Sequence, residues 1–143
     1  MIGYSTMVEI RTVYEGELRC RLTHGPSGQT FVTDAPTDNH GKGEAFSPTD
    51  LVAAALGSCV LTVMGIVAMR HQIDLAGTQA LVQKAMITAP TRRIGSLAMT
   101  VTFPRNFSSQ ERQLLEGAAM SCPVHHSVHP DIRVPIEFVY PAV

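Results

Sequence analysis

Two cysteines, Cys59 and Cys122, are the residues of this chain best suited to redox chemistry. Cys59 lies within the uncharged stretch of residues 51–69, and Cys122 directly precedes Pro123. Because proline fits only the first turn of a helix, the Cys-Pro pair predicts that a short helix begins at Cys122. A thiol at a helix N-terminus faces unpaired N–H groups, which can lower its pKa from about 8.5 to between about 3.5 and 7.5. The alternative for each cysteine is a small buried hydrophobic residue.

The cysteine count indicates a reducing environment. The chain has three cysteines, and Cys20 is the third. No basic segment followed by an apolar run and a small-residue cleavage site opens the sequence, so we expect a cytoplasmic protein with reduced thiols. In that setting a separated cysteine pair is more often catalytic or metal-binding than a structural disulfide.

The segment CPVHHSVH offers a competing chemistry. Cys122, His125, His126 and His129 are spaced at i, i+3, i+4 and i+7, which would place them on one face of a helix. Thiolate and imidazole groups are ligands for zinc or copper. The alternative is that His129 favours the last turn of a helix and that the other histidines are exposed. The redox interpretation requires no cofactor and no metal.

Composition narrows the class of protein. The chain has 143 residues, a net charge of −1 and 45% hydrophobic residues. We therefore expect one globular domain over residues 1–143, and the absence of a basic patch argues against nucleic-acid binding. Residues 51–69 are about long enough to cross a bilayer. Their Ala, Gly, Ser and Thr content and the strands around them favour a buried core helix instead, and we expect no membrane partner.

Alternating and helical patterns predict an α+β fold with the order β-β-β-α-β-β-α-(α)-β. Ser47, Pro48 and Asp50 form a predicted capping box at the start of the long helix, and Ser108 with Glu111 forms a second one at the start of the next helix. In the strand of residues 96–104, four apolar residues are predicted to share one face: Leu97, Met99, Val101 and Phe103. Pro135 indicates that the last strand lies at an edge or contains a bulge. The predicted strands are residues 7–14, 17–24, 29–34, 80–88, 96–104 and 132–140, and the predicted helices are residues 48–72 and 108–122 with a short one after Cys122.

The motifs SPTDLVAAALGSC, EGELRC and SCPVHHSV together resemble the OsmC/Ohr family of thiol-dependent hydroperoxide reductases. The resemblance implies an OsmC-like fold, with antiparallel sheets packed around a long buried central helix in an intertwined homodimer. It implies a peroxidase that reduces organic hydroperoxides, with hydrogen peroxide as a further substrate, in oxidative-stress defence. An external dithiol, either a lipoyl protein or a small dithiol, would restore the thiols.

The resemblance also implies the roles of individual residues. Cys59 would be the peroxidatic thiolate and Cys122 the resolving thiol. Arg19 would stabilise the thiolate, with Arg21 as the alternative, and Asp50 would hold the arginine. Three apolar residues of the long helix would line a dry substrate pocket, although core packing is their default interpretation: Leu56, Val60 and Met64.

The chain lacks one acidic residue that the hydroperoxide branch of the family has. That branch has a glutamate ten residues before the first cysteine, where this chain has Thr49. Asp50 and Glu44 are the remaining acids that could hold the arginine. A homologue with weak or no peroxidase activity, which binds a small apolar ligand or a metal, is therefore the alternative function.

Overall fold

A computed structural model describes residues 2–143. The order of elements is the predicted one, and the α+β class is confirmed. The strands are β1 (Ile10–Gly16), β2 (Arg19–His24), β3 (Thr30–Asp34), β4 (Gln79–Ile87), β5 (Arg93–Thr102) and β6 (Ile136–Val139); the helices are α1 (Pro48–Arg70), α2 (Ser109–Ala119) and α3 (Pro123–Ser127), with a 3-10 turn at Thr37–Asn39.

The chain forms two compact units, one up to Leu51 and one from Val52 onward. In the N-terminal unit β1, β2 and β3 pair in that order as an antiparallel sheet. Glu17 and Leu18 connect β1 to β2 with φ values of 54° and 63°. Positive φ at both positions suits the right-handed twist of a two-residue hairpin. The prediction of a single domain over residues 1–143 stays a prediction.

The polar loop after β3 is tied down by hydrogen bonds of its own backbone. Asp34, only 1% exposed, accepts a hydrogen bond from the Glu44 amide at 3.0 Å. The Asp34 amide donates to the Phe46 carbonyl at 3.1 Å, and the Gly43 amide donates to the Ala35 carbonyl at 3.1 Å. A Cβ at position 41 would collide with the Ala35 carbonyl oxygen, so only glycine fits there. These contacts fix the position of Glu44 relative to β3.

Helix α1 starts as the sequence predicts. The Asp50 amide donates to Ser47 Oγ at 3.1 Å, and the Ser47 amide donates to Asp50 Oδ2 at 2.9 Å. Both halves of the capping box are therefore present. Gly57 lets the helix approach β4 closely, because a Cβ there would lie 3.2 Å from Val82 Cγ2. This close approach sets the depth of the next helical turn, which carries Cys59.

The burial of α1 is one-sided. Its buried face consists of small and apolar residues spaced three or four apart: Ala53, Leu56, Gly57, Val60, Met64 and Ala68. On the other side Ile66 is 46% and Met69 81% exposed. The sequence predicts burial on all sides, but one three-stranded sheet covers only one face of a helix. By length and composition α1 could cross a membrane, yet core helices pass the same test, so this is weak evidence.

The sheet of the C-terminal unit is mixed. Strands β4 and β5 are antiparallel, whereas β5 and β6 are parallel. The expectation of antiparallel sheets is therefore wrong for this pair, because the chain returns through α2 and α3, and so long a connection permits parallel pairing. Strand β6 lies at the sheet edge and begins just after Pro135, whose carbonyl accepts from the Met99 amide at 2.9 Å. The predicted edge position of Pro135 is confirmed.

Strand β5 supplies the centre of this unit's core. Its buried face is the predicted one, with Leu97, Met99 and Val101 followed by Phe103 just after the strand. Helix α2 adds three buried residues, Leu115, Ala118 and Ala119. The predicted capping box at the start of α2 is present, with the Glu111 amide donating to Ser108 Oγ at 3.2 Å. The same core contains Cys122.

Candidate active site

Cys122 occupies the N-cap position of α3 and has no exposed surface. Its Sγ accepts a hydrogen bond from the His125 amide at 3.4 Å. Pro123 begins the helix, as predicted, because its ring presets φ and the missing N–H would have no helical partner there. The thiol therefore replaces the hydroxyl or carboxylate oxygen that usually caps a helix.

The thiols of Cys59 and Cys122 meet in the core of the C-terminal unit. Cys59 lies midway along α1, is partly buried and packs against the core cluster that contains Cys122. The two side chains are close enough that Cys59 raises the pKa of Cys122, and both are free thiols. The structure thus brings together two cysteines that are distant in sequence, one from each of the two cysteine motifs.

The environment of Cys122 makes the pair asymmetric. Burial raises the pKa of the Cys122 thiol, and the hydrogen bond with Cys59 raises it further, while the His125 amide lowers it by less. A hydrogen bond raises an acid's pKa when it stabilises the protonated form. Burial and Cys59 therefore both favour the protonated form of Cys122.

The expected low pKa at a helix N-terminus is wrong for Cys122. The prediction rested on N–H groups and on the helix dipole, but α3 has only five residues. One amide hydrogen bond at 3.4 Å does not compensate for the loss of solvent around a fully buried thiol. The effect of burial on the Cys122 pKa is larger than the effect of the helix N-terminus. The Cys-Pro motif does not indicate whether the thiol is buried.

Arg19 and its acid lie in the N-terminal unit. Arg19 Nη1 is 3.5 Å from Glu44 Oε2, and Arg19 is about one-third exposed. Arg21, the alternative arginine, pairs instead with Glu15 at 3.1 Å. The acid that the structure pairs with Arg19 is thus Glu44, from the polar loop.

The predicted acid Asp50 has a structural position at the α1 cap, where its carboxylate accepts from the Ser47 amide. Thr49, which stands where the hydroperoxide branch has a glutamate, places its Oγ1 3.2 Å from Ser47 Oγ. Both residues therefore help to form the start of α1.

Sequence reasoning missed Asp34. This residue pairs across the sheet with Arg19, so their side chains share a face of the sheet. Asp34 Oδ2 accepts from the amide of Glu44, while Oδ1 is buried without a hydrogen-bond partner in the structure. The available signal was an acid at the end of a strand, just before a loop that supplies the partner of Arg19.

The three predicted substrate-pocket residues are core residues. Leu56, Val60 and Met64 have no exposed surface. Their default interpretation, core packing, is what the structure shows. The exposed residues of α1 next to Cys59 are Ala55 and Thr62, one turn before and one turn after it.

The alternative metal site is not formed. Helix α3 ends at Ser127, so His129 lies beyond it, and the four predicted ligands do not share a helical face. His129 Nδ1 accepts instead from the Asp131 amide at 3.0 Å. Within residues 2–143 there is no group of three or more His, Cys, Asp or Glu residues placed to hold a metal ion. The i, i+3, i+4, i+7 interpretation is therefore wrong, because the helix is too short.

We expect that Cys122 loses its proton at lower pH when Cys59 is replaced by alanine, in a Cys20→Ser background. The change removes the Cys59 thiol, whose hydrogen bonding and charge raise the Cys122 pKa, while the burial of Cys122 remains. The ultraviolet absorbance of the thiolate, followed against pH, measures this shift. Cys59→Ser, which keeps an acceptor, should give an intermediate midpoint, and an unchanged midpoint in Cys59→Ala would contradict the assignment.

The same asymmetry predicts weaker folding at high pH. Because the folded pKa of Cys122 lies above the ordinary value of 9.0, the unfolded chain releases this proton first as pH rises. Its contribution to stability is therefore present below that value and is lost as pH rises through the folded pKa. The free energy of unfolding, measured by urea titration, should fall less steeply in Cys122→Ala over this range.

The comparisons with known proteins agree on one family. A model of the OsmC-like protein family matches residues 41–137. A protein from Psychrobacter arcticus, named for osmotic stress induction and detoxification response, is 41% identical, covers 96% of this chain and 99% of its own, and has a TM-score of 0.87. Comparison with the curated proteins found no significant match.

More distant solved structures share the fold. An organic hydroperoxide resistance protein OsmC from Legionella pneumophila is 15% identical over 96% of this chain and 99% of its own, with a TM-score of 0.76. An organic hydroperoxide resistance protein from Vibrio cholerae, with captopril bound in one of its active sites, is 17% identical over 99% and 97% of the two chains, also with a TM-score of 0.76. The chain described here belongs to the OsmC-like protein family.

Proposed function

We propose that this protein is a cytoplasmic thiol peroxidase that reduces organic hydroperoxides through a Cys59–Cys122 thiol–disulfide cycle. The observation that carries the proposal is that Cys59 packs against the core cluster of the C-terminal unit that contains Cys122, close enough to raise its pKa. The names of the Legionella and Vibrio relatives, which refer to organic hydroperoxide resistance, support the substrate class. Defence against oxidative stress is the role that follows.

The first step is nucleophilic attack on the peroxide. The Cys59 thiolate attacks one peroxide oxygen, an S–O bond forms and the O–O bond breaks. The alkoxide takes a proton and leaves as the alcohol, and Cys59 becomes a sulfenic acid. Because the raised pKa of Cys122 keeps its proton on sulfur, Cys59 is the nucleophile of the pair.

The second step uses the contact between the thiols. The Cys122 sulfur attacks the sulfur of the Cys59 sulfenic acid, an S–S bond forms and the S–O bond breaks. The leaving hydroxide takes the Cys122 proton and departs as water. An external dithiol, either a lipoyl protein or a small dithiol, then reduces the disulfide by exchange.

We assign to Arg19 the stabilisation of the Cys59 thiolate. A thiolate in an apolar environment is costly unless a positive charge compensates it. Glu44 would orient the Arg19 guanidinium, since the two are paired at 3.5 Å and Asp34 holds the Glu44 backbone. In this chain Glu44 would thus orient the arginine, which Thr49 cannot do because it has no carboxylate.

We further propose that the chain acts as a homodimer. Helix α1 presents Ile66 and Met69 to solvent in the single chain, 46% and 81% exposed, although residues 51–69 carry no charge. The apolar patch at Ile66 and Met69, which begins about two turns after Cys59, is most stable when a second surface covers it. The same surface could otherwise contact a membrane, which the experiment on Ile66 below distinguishes.

We expect both thiols of the Cys20→Ser protein to be lost on reaction with one equivalent of cumene hydroperoxide. Cys59→Ser should lose none, because the nucleophile is missing, and Cys122→Ser should retain Cys59 as a sulfenic acid. Thiol titration and mass analysis measure these outcomes. If the Cys20→Ser protein keeps both thiols, the chain is an OsmC-like protein without this peroxidase activity.

We expect Arg19→Ala to slow the oxidation of Cys59 by cumene hydroperoxide by about tenfold or more, because the proposed positive partner of the thiolate is lost. Arg21→Ala is the matched control and should have a smaller effect, since Arg21 pairs with Glu15. Glu44→Gln should fall between them, and Arg19→Lys should recover only part of the rate because lysine lacks the planar fork. Stopped-flow measurement giving equal rates for Arg19→Ala and Arg21→Ala would refute the assignment.

We expect the wild-type chain to sediment as a dimer and Ile66→Glu to sediment as a monomer, because a charge would be buried at the interface. Ile66→Leu, which keeps the apolar character, should remain dimeric. Sedimentation velocity in detergent-free buffer checks both variants. A monodisperse wild-type monomer would exclude the homodimer, and flotation of the wild type with lipid vesicles would favour a membrane contact instead.

A further inference from the structure

The two sulfurs of the proposed disulfide differ in how far an outside molecule can reach them. Cys122 has no exposed surface, whereas Cys59 is partly exposed on α1. The residues that enclose Cys122 belong to the core of its own unit, including Leu115 and Ala119. A second copy of the chain or a bound substrate can only cover more surface, so neither can expose Cys122.

We propose that the external dithiol attacks the sulfur of Cys59, so that the mixed disulfide forms on Cys59 and Cys122 is the leaving thiol. This inference rests on the proposed function, because it concerns the reductive half of the same cycle. It names the atom at which the reducing partner must enter. It also excludes a reductant that would have to reach the start of α3.

Atoms and electrons balance in two exchanges. A thiolate of the reductant attacks the Cys59 sulfur, the Cys59–Cys122 bond breaks, and its electron pair leaves on the Cys122 sulfur, which takes up a proton. The second thiolate of the reductant then attacks the reductant sulfur in the mixed disulfide and releases the Cys59 thiolate. The dithiol becomes an intramolecular disulfide, and the protein regains both thiols.

The surroundings of Cys59 fit a narrow attacking group. Its neighbours one turn away on the exposed side of α1 are Ala55 and Thr62, both small. Thr62 Oγ1 donates to the Ser58 carbonyl at 2.8 Å, which holds its hydroxyl against the helix backbone. On this side of Cys59, α1 itself therefore presents only small side chains to a linear dithiol.

The surroundings of Cys122 fit a leaving thiol that does not return. The His125 amide can donate to the departing sulfur, to which it already donates at 3.4 Å. Burial and Cys59 raise the pKa of Cys122, so the released sulfur takes up a proton and is a thiol near neutral pH. The raised pKa makes Cys122 a poorer leaving group, so access to the sulfur, not leaving-group strength, selects Cys59 as the atom attacked. After departure, protonation slows the re-attack of Cys122 on the mixed disulfide, because a thiol is a much weaker nucleophile than a thiolate. The reductant's second thiol consequently has time to complete the exchange.

The test uses the folded Cys20→Ser protein, so that Cys59 and Cys122 are the only cysteines present. Diamide forms the disulfide without a hydroperoxide, and intact mass confirms it. A brief exposure to 2-mercaptoethanol, which cannot complete the second exchange intramolecularly, is stopped with acid and followed by alkylation. Peptide mapping should show the mercaptoethanol adduct on Cys59 and the alkyl group on Cys122, in about tenfold excess or more over the reverse pattern.

The matched control is the same oxidised protein in urea. Unfolding removes the difference in exposure, so adducts should form on both cysteines. Adducts on Cys122, or on both residues equally, in the folded protein would overturn the inference while leaving the peroxidase cycle intact. If diamide forms no Cys59–Cys122 disulfide, the inference and the cycle both fail, whereas a disulfide that forms with diamide but not with hydroperoxide removes the cycle alone.

Discussion

The contact between a capping thiol and a thiol within a core helix is the constraint on which the C-terminal unit depends. Cys122 caps the start of α3, belongs to the buried core and lies close enough to Cys59 for the two thiols to interact. Gly57 allows α1 to lie close to β4, which brings the helical turn carrying Cys59 to the depth of the core. Packing of α1 and the start of α3 in one core thus brings two free thiols together.

The local part of this arrangement could be predicted from sequence, and the reason is that its determinants are local. A capping box requires only residues three positions apart, and both boxes, Ser47 with Asp50 and Ser108 with Glu111, form as expected. Proline after Cys122 fixes the start of α3 in the same way. The polarity of the thiol pair was not predictable, because burial is a property of the whole core and reverses the effect that the helix terminus has on a pKa.

Errors in the sequence interpretation have the same physical origin. The spacing of the histidines after Cys122 suggests a shared helical face only if the helix continues, and α3 ends two residues before His129. The pairing of β6 with β5 depends on the path of a long connection, which no residue pattern specifies. The family resemblance drew attention to Thr49 and Asp50, whereas the acid beside Arg19 comes from a loop whose backbone is held by Asp34. Glu44 was one of the two acids that the sequence offered, but the choice between Glu44 and Asp50 required the contacts of the folded loop.

One cysteine is buried and the other is partly exposed. This difference determines the separate roles of the two thiols more strictly than their positions in the sequence do. Two equivalent thiols could each attack a peroxide and each be attacked by a reductant, and the pair would then exchange roles freely. Here the enclosed thiol keeps its proton to higher pH than an ordinary thiol, because burial raises its pKa. The same enclosure removes Cys122 from competition for solvent-borne electrophiles. The contact between Cys59 and Cys122 contributes modestly to stability but has a larger consequence for reactivity. It leaves the Cys59 sulfur accessible to molecules from solvent, whereas the Cys122 sulfur can react only with Cys59.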